Sequence, residues 1–317
     1  MSIFALLLFA FLSQGQAPLG GNVRIHDLMP DFWLFWNAAK NESPLQQLES
    51  WRSLYIQPNA ALFADLAAPC AKHFSDRSLE TDYFPTLPQF ISEIHSLQQA
   101  MPGIVADARQ RIQKAFPDMA WSGDIYIMAS AECFNGRSQQ IGGSNALLLG
   151  LDDIAEEHET NLPPLLDHEL FHRYQHAFFP FEPERDEPLW VRLWAEGMAT
   201  YVARRLNPSA TEQDTLWITE PVMKELKHRR AMLAADFLSR FSSESQHDAA
   251  VYFLDDRSQD PNIPPRTGYF LGLEVAEQLA TRYPPQQMAH WDRTQAETHI
   301  REALKRMVDM KAKDKKY

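Results

Sequence analysis

The stretch Pro163 to Phe179, PPLLDHELFHRYQHAFF, constrains this chain more than any other. Asn161 is a cap residue, Pro163 and Pro164 suit a first turn, and Pro180 is a stop, so the spacing predicts one bounded helix. Along that helix His168 and His172 stand one turn apart on one face, where two imidazoles can hold one metal ion. Glu169 sits beside them, where a carboxylate can take a proton from metal-activated water.

A catalytic zinc takes three protein ligands and leaves a fourth position open. His176 continues the series, but two turns carry it ~12 Å along the axis from His168, too far to share one ion. It is expected in the outer wall of the site. Glu196 is the better third ligand. Asp186 and Pro188 start a second helix that ends at Asn207-Pro208. The loop Pro180 to Glu187 would fold it back antiparallel, with Glu196 opposite the histidines. Trp190, Leu193, Trp194, Met198 and Tyr201 give it an apolar body. A carboxylate buried among them is costly unless compensated, and a metal ion would compensate it. Gly197 permits close helix approach.

A chain of 317 residues with 45% apolar and 23% charged residues has ordinary globular composition and length for a sizeable core. Its net charge of −12, with no basic stripe, argues against a nucleic-acid partner. The apolar run Ile3 to Leu12 is too short to span a bilayer, so no stable transmembrane anchor is expected. With Gly15 and Ala17 behind it, the run reads as a signal peptide over residues 1–17, although it has no Lys or Arg; the alternative is a buried N-terminal helix. Export would allow Cys70 and Cys133 to pair, and two separately buried thiols are the other reading.

Residues 18–118 read as a helical region. Helices are expected around Asp31 to Trp36, Leu45 to Tyr55, Pro58 to Leu66 and Pro88 to Phe116, the last broken near Pro102-Gly103. Residues 119–317 read as the catalytic region, integrated with the first. Asp124 to Ser130 and Asn145 to Leu151 are strand candidates separated by a polar segment, and the acidic run Asp152 to Glu159, with His158, reads as a solvated approach. Later helices are expected at Pro221 to Phe241, Gly268 to Tyr283 and Thr294 to Lys311. Ser242 to Pro265 reads as irregular. The fold class is therefore α+β, predominantly helical, with a small sheet upstream of the metal helix.

HELFH followed by WAEGMATYVA resembles the gluzincin metallopeptidases, which pair HExxH with a Glu on the following helix. EGMATY is similar to the Glu-Gly-x-Ala-x-Tyr segment of gluzincin aminopeptidases. The layout, with Asp31-Phe32, Trp33 and Trp36 early and Gly268-Tyr269 with Gly272 late, resembles exported, predicted zinc proteases of bacteria. That likeness implies a thermolysin-like core, Zn²⁺ on His168, His172 and Glu196, and Glu169 as general base and then proton donor to the leaving amine. It also implies that Gly142 to Leu149 is the edge strand for an extended peptide or protein substrate, with Asn145 and Ala146 as substrate-binding residues. An Asn at a strand start is equally a turn residue. Thr200 stands where thermolysin-like enzymes carry an Asp that orients a zinc histidine, and the amine-anchoring motif of the aminopeptidases is not recognisable. Tyr269 is the candidate oxyanion donor, with Arg266 second, and a plain core tyrosine is its other reading. A zinc-stabilised envelope protein that only binds partners, and a zinc hydrolase of a non-peptide amide, remain open. Cleavage position and oligomeric state have no signal in the chain.

Overall fold

The computed structural model describes residues 23–120, 123–156, 162–181, 186–254 and 259–314. The signal-peptide reading of residues 1–17 and the reading of His158 lie outside the described residues. Within them the chain is mainly helical with one four-stranded sheet.

Strand β1 (Val23–Asp27) leads into helix α1 (Met29–Ala39), short helical turns follow, and helix α2 (Ile91–Ala115) closes the N-terminal region. Phe32, Phe35, Trp51, Tyr55, Tyr83 and Phe84 are buried together there, as their helical spacing predicts. Tyr55 ties this aromatic cluster to the sheet: its hydroxyl donates to Ala129 O at 2.9 Å and accepts from Ala129 N–H at 2.8 Å. Helix α2 runs unbroken through Pro102, contrary to the expected break. Met101 and Val105 anchor the helix on its buried side. Pro102 itself faces solvent, where water can satisfy the carbonyl that the ring leaves without a donor.

The sheet adds β2 (Gly123–Met128), β3 (Gly136–Ile141) and β4 (Ser144–Gly150), in the order β1-β2-β4-β3. The first three are parallel, and β3 is antiparallel to β4. Ala146 to Leu149 are buried, the continuous apolar run of a strand covered on both faces. Two of the strands were not read from the sequence. β1 lies in what was expected to be helical chain, and β3 in the polar segment. The expectation that the Asn145–Ala146 strand is a sheet edge is corrected here: β4 pairs with β2 on one side and β3 on the other, and the edge strands are β1 and β3.

Helix α3 (Leu162–His176) carries the HExxH residues, and α4 (Leu189–Leu206) carries Glu196. They are antiparallel, since Phe179 meets Trp190 at one end and Asp167 meets Asn207 at the other. Helices α5 (Glu220–Ser239), α6 (Thr267–Ala280) and α7 (Arg293–Asp314) are the long helices that follow. The segment expected to be irregular contains the helix Gln246–Phe253, with Val251, Tyr252 and Phe253 buried. Gly197 does permit a close approach, but to α6: a Cβ there would lie 2.5 Å from Gly272 Cα. One contiguous core joins Leu28 to Met307, so the N-terminal region and the rest of the described chain share their interior. No helix among the described residues is long and apolar enough to cross a membrane.

Candidate metal centre

Helix α3 is positioned from below by Asp167, the residue before His168. Its fully buried carboxylate accepts from Arg111 Nε at 2.9 Å, Arg111 Nη2 at 3.2 Å and Asn207 Nδ2 at 2.7 Å. Arg111 belongs to α2, so the N-terminal region sets the height and rotation of the metal helix. Burial raises the Asp167 carboxyl, and Arg111 and Asn207 offset part of that.

On the opposite face His168, Glu169 and His172 form a group able to hold a metal ion, with one ligand atom from each lying within 4.8 Å of the others. Glu196 joins them from α4. His168 Nε2 and His172 Nε2 are 2.9 Å apart, and Glu196 Oε2 lies 3.2 Å from the first and 3.3 Å from the second. Ligand bonds of ~2.0–2.1 Å at tetrahedral angles put neighbouring ligand atoms about 3.3 Å apart. The triangle therefore already has nearly the edge lengths of one face of a zinc tetrahedron.

The charges agree with that geometry. Burial pushes the Glu196 carboxyl up, but His172 and His168 outweigh it and hold the group well below the usual carboxylate range. Burial and the charge of His172 push His168 down. Burial also opposes the charged form of His172, yet the Glu196 charge beside it prevails and raises it. Each imidazole thus favours the anionic form of the carboxylate it faces.

The group opens into a cleft of about 720 Å³ between β3, α3, α4 and α6. The cleft brings together nearly all the residues expected from the sequence. Asn145, Ala146, His176, Arg266 and Tyr269 all line it with the metal group. His176 stands outside the ligand triangle, as its spacing requires. The Tyr269 ring lies 6.4 Å from that of His168, and the Arg266 guanidinium sits 4.3 Å over Tyr269 and 5.5 Å from the Trp217 ring. Ala146 has its backbone committed to Asp124 on one side and Gln139 on the other, so an extended ligand cannot pair with it. Asn145 pairs with Gln140, and its carbonyl accepts from Arg173 at 3.5 Å. The open strand edge beside the metal group is therefore that of β3.

Thr200 does not orient a histidine. Its hydroxyl donates to Glu196 O at 2.8 Å within its own helix. Among the described residues the buried Nδ1 of His168 has no hydrogen-bond partner. The support that usually fixes a metal-binding imidazole through its second nitrogen is thus lacking on this histidine.

Sequence reasoning missed Gly136, Ser138 and Trp217 in the cleft wall. A signal for the first two was present. Gly142 and Gly143 have φ of 57° and 77°, the two-residue turn that joins paired strands, and a Gly-Gly step calls for a strand on each side of it. Asp152, read as part of a solvated run, is buried: it accepts from Ser130 N at 2.7 Å and Glu132 N at 3.3 Å. Cys70 and Cys133 form a disulfide, which joins the N-terminal region to the cleft wall just before β3. Comparison with known proteins returns no match: no family, curated protein or solved structure is detectably similar to the chain.

Proposed function

We propose that the protein is an exported zinc peptidase of gluzincin type, cleaving peptide bonds with Glu169 as general base. The observation that carries this reading is the triangle of His168 Nε2, His172 Nε2 and Glu196 Oε2, with edges of 2.9, 3.2 and 3.3 Å. Two imidazoles and a partly buried carboxylate suit zinc in both donor type and spacing. Zinc bound there would supply a Lewis acid that acidifies water and polarises a carbonyl. Glu169 is next to the ligands but outside their triangle, so it is free to take the proton of the attacking water and return it to the leaving nitrogen. Tyr269 is the donor for the oxyanion, with Arg266 stacked over its ring.

The substrate backbone would pair with β3, the edge strand of the sheet that lines the cleft. Ile141 and Ser144 flank the two-residue turn, so alternation turns the backbone groups of Ser138 and Gln140 outward, into the cleft. The Cys70–Cys133 disulfide suits an oxidising compartment and so supports export.

Metal content and cleavage of a peptide library, measured together on wild type and Glu169→Gln, test the reading. About one zinc per chain is expected in both, with cleavage in the variant down by on the order of 10²–10⁴. Wild-type protein that holds zinc tightly and cleaves nothing would transfer the site to a purely binding role.

A further inference from the structure

The side chain of Glu169 has a seat of its own on β3, distinct from the metal ligands. Ser138 Oγ lies 3.3 Å from Glu169 Oε2 and 3.5 Å from its carbonyl oxygen. Gly136, two residues earlier and so on the same face of the strand, borders the same side chain. A Cβ at position 136 would stand 2.9 Å from Glu169 Cγ and 3.3 Å from its Cδ. The backbone does not require this glycine, because the glycines at positive φ are Gly123, Gly142 and Gly143. What position 136 provides is space, and the Glu169 side chain occupies it.

We propose that Gly136 and Ser138 are positioning residues for Glu169, and that they couple the base to substrate binding. A glutamate with three rotatable bonds is an effective base only when held near one geometry, and a displacement of about 1 Å can cost on the order of 10²-fold in rate. Gly136 leaves the slot, and Ser138 donates to the carboxylate lying in it. Ser138 also belongs to the edge strand β3, so a peptide paired with its backbone would steady the strand that seats the base. The kinetic consequence rests on the peptidase reading; the seat itself does not.

The test uses full-length Gly136→Ala, Ser138→Ala and Ser138→Thr, with zinc content, thermal midpoint, kcat and KM on a fluorogenic peptide that wild type cleaves, and crystal structures of the zinc-free proteins. All three variants should hold wild-type zinc and melt within a few degrees of wild type. Gly136→Ala should lower kcat on the order of 10²-fold with KM nearly unchanged, and its Glu169 carboxylate should be displaced from the seat. Ser138→Ala should lower kcat about tenfold, in line with loss of a hydrogen bond to a charged group, and Ser138→Thr should restore it. An undisplaced Glu169 in Gly136→Ala, or an unchanged kcat there, overturns the proposal. A displaced carboxylate in a protein whose wild type cleaves no peptide upholds the seat and removes the peptidase reading instead.

Discussion

Asp167, fully buried, and Glu196, partly buried, are two carboxylates on either side of one helix, and they are compensated in different ways. Asp167 has a resident cation: Arg111 meets both its oxygens and Asn207 adds a third donor. Glu196 has imidazoles in that place, His168 and His172 being its ion-pair partners. A buried charge must be matched, and a guanidinium matches it permanently. Imidazoles match it only while one carries a proton, and when neutral they are themselves metal ligands. The Asp167 side of helix α3 is thus complete as folded, whereas the Glu196 side gains most from a cation arriving from solution. One helix carries both a fixed anchor and a group able to hold a metal ion.

The largest effect expected from this contrast falls on the anchor. Arg111→Ala leaves Asp167 buried without its cation and should cost about 3–5 kcal/mol in urea unfolding, with zinc per folded chain unchanged. A loss below about 1 kcal/mol would mean that the anchor carries little of the fold.

Next in size is the response to metal. Zinc at about 100 times its dissociation constant should stabilise the native protein by about 2.7 kcal/mol, because the unfolded chain lacks the triangle. Glu196→Gln should abolish that gain, whereas Asp167→Asn should keep it. Equal zinc stabilisation in both variants would erase the distinction between the two carboxylates.

The smallest effect concerns a third acidic residue, Glu132, whose neighbours among the described residues include Glu156 and Thr86. Burial and the neighbouring Glu156 raise its carboxyl to about 7, while a hydrogen bond from Thr86 opposes the shift. A carboxyl raised above its unfolded value of 4.5 contributes stability that is full below that pH and is lost as pH rises through about 7. Glu132→Gln should therefore flatten the stability profile between about pH 4.5 and 7, read by thermal melts across that range. An unaltered profile would show that the acid pair is relaxed by solvent.

These sites differ in how far they were legible in the chain. His168, Glu169 and His172 were legible because helical period is local: residues one turn apart share a face whatever the rest of the chain does. Glu196 was legible because a carboxylate amid Trp190, Leu193, Trp194 and Met198 has to be compensated. The Asp167–Arg111 pair was not, since Arg111 lies in another helix, in a stretch whose only local signal is amphipathic. Asp152 was misread because a run of acids looks solvated until the turn that wraps around one of them is known. Pro102 was given too much weight as a helix breaker, because its cost depends on whether the freed carbonyl faces water.

The sequence by itself determined which residues gather at the candidate centre, the mainly helical class and the strands β2 and β4, all of which follow from short-range spacing and runs of side-chain type. Only the tertiary structure decided which strand is the edge, that Gly136 and Ser138 seat Glu169, that Gly197 packs on Gly272, and that Cys70 meets Cys133. Each of those is a pairing between distant segments. It is fixed by how the whole core closes, and many pairings are compatible with the same local pattern.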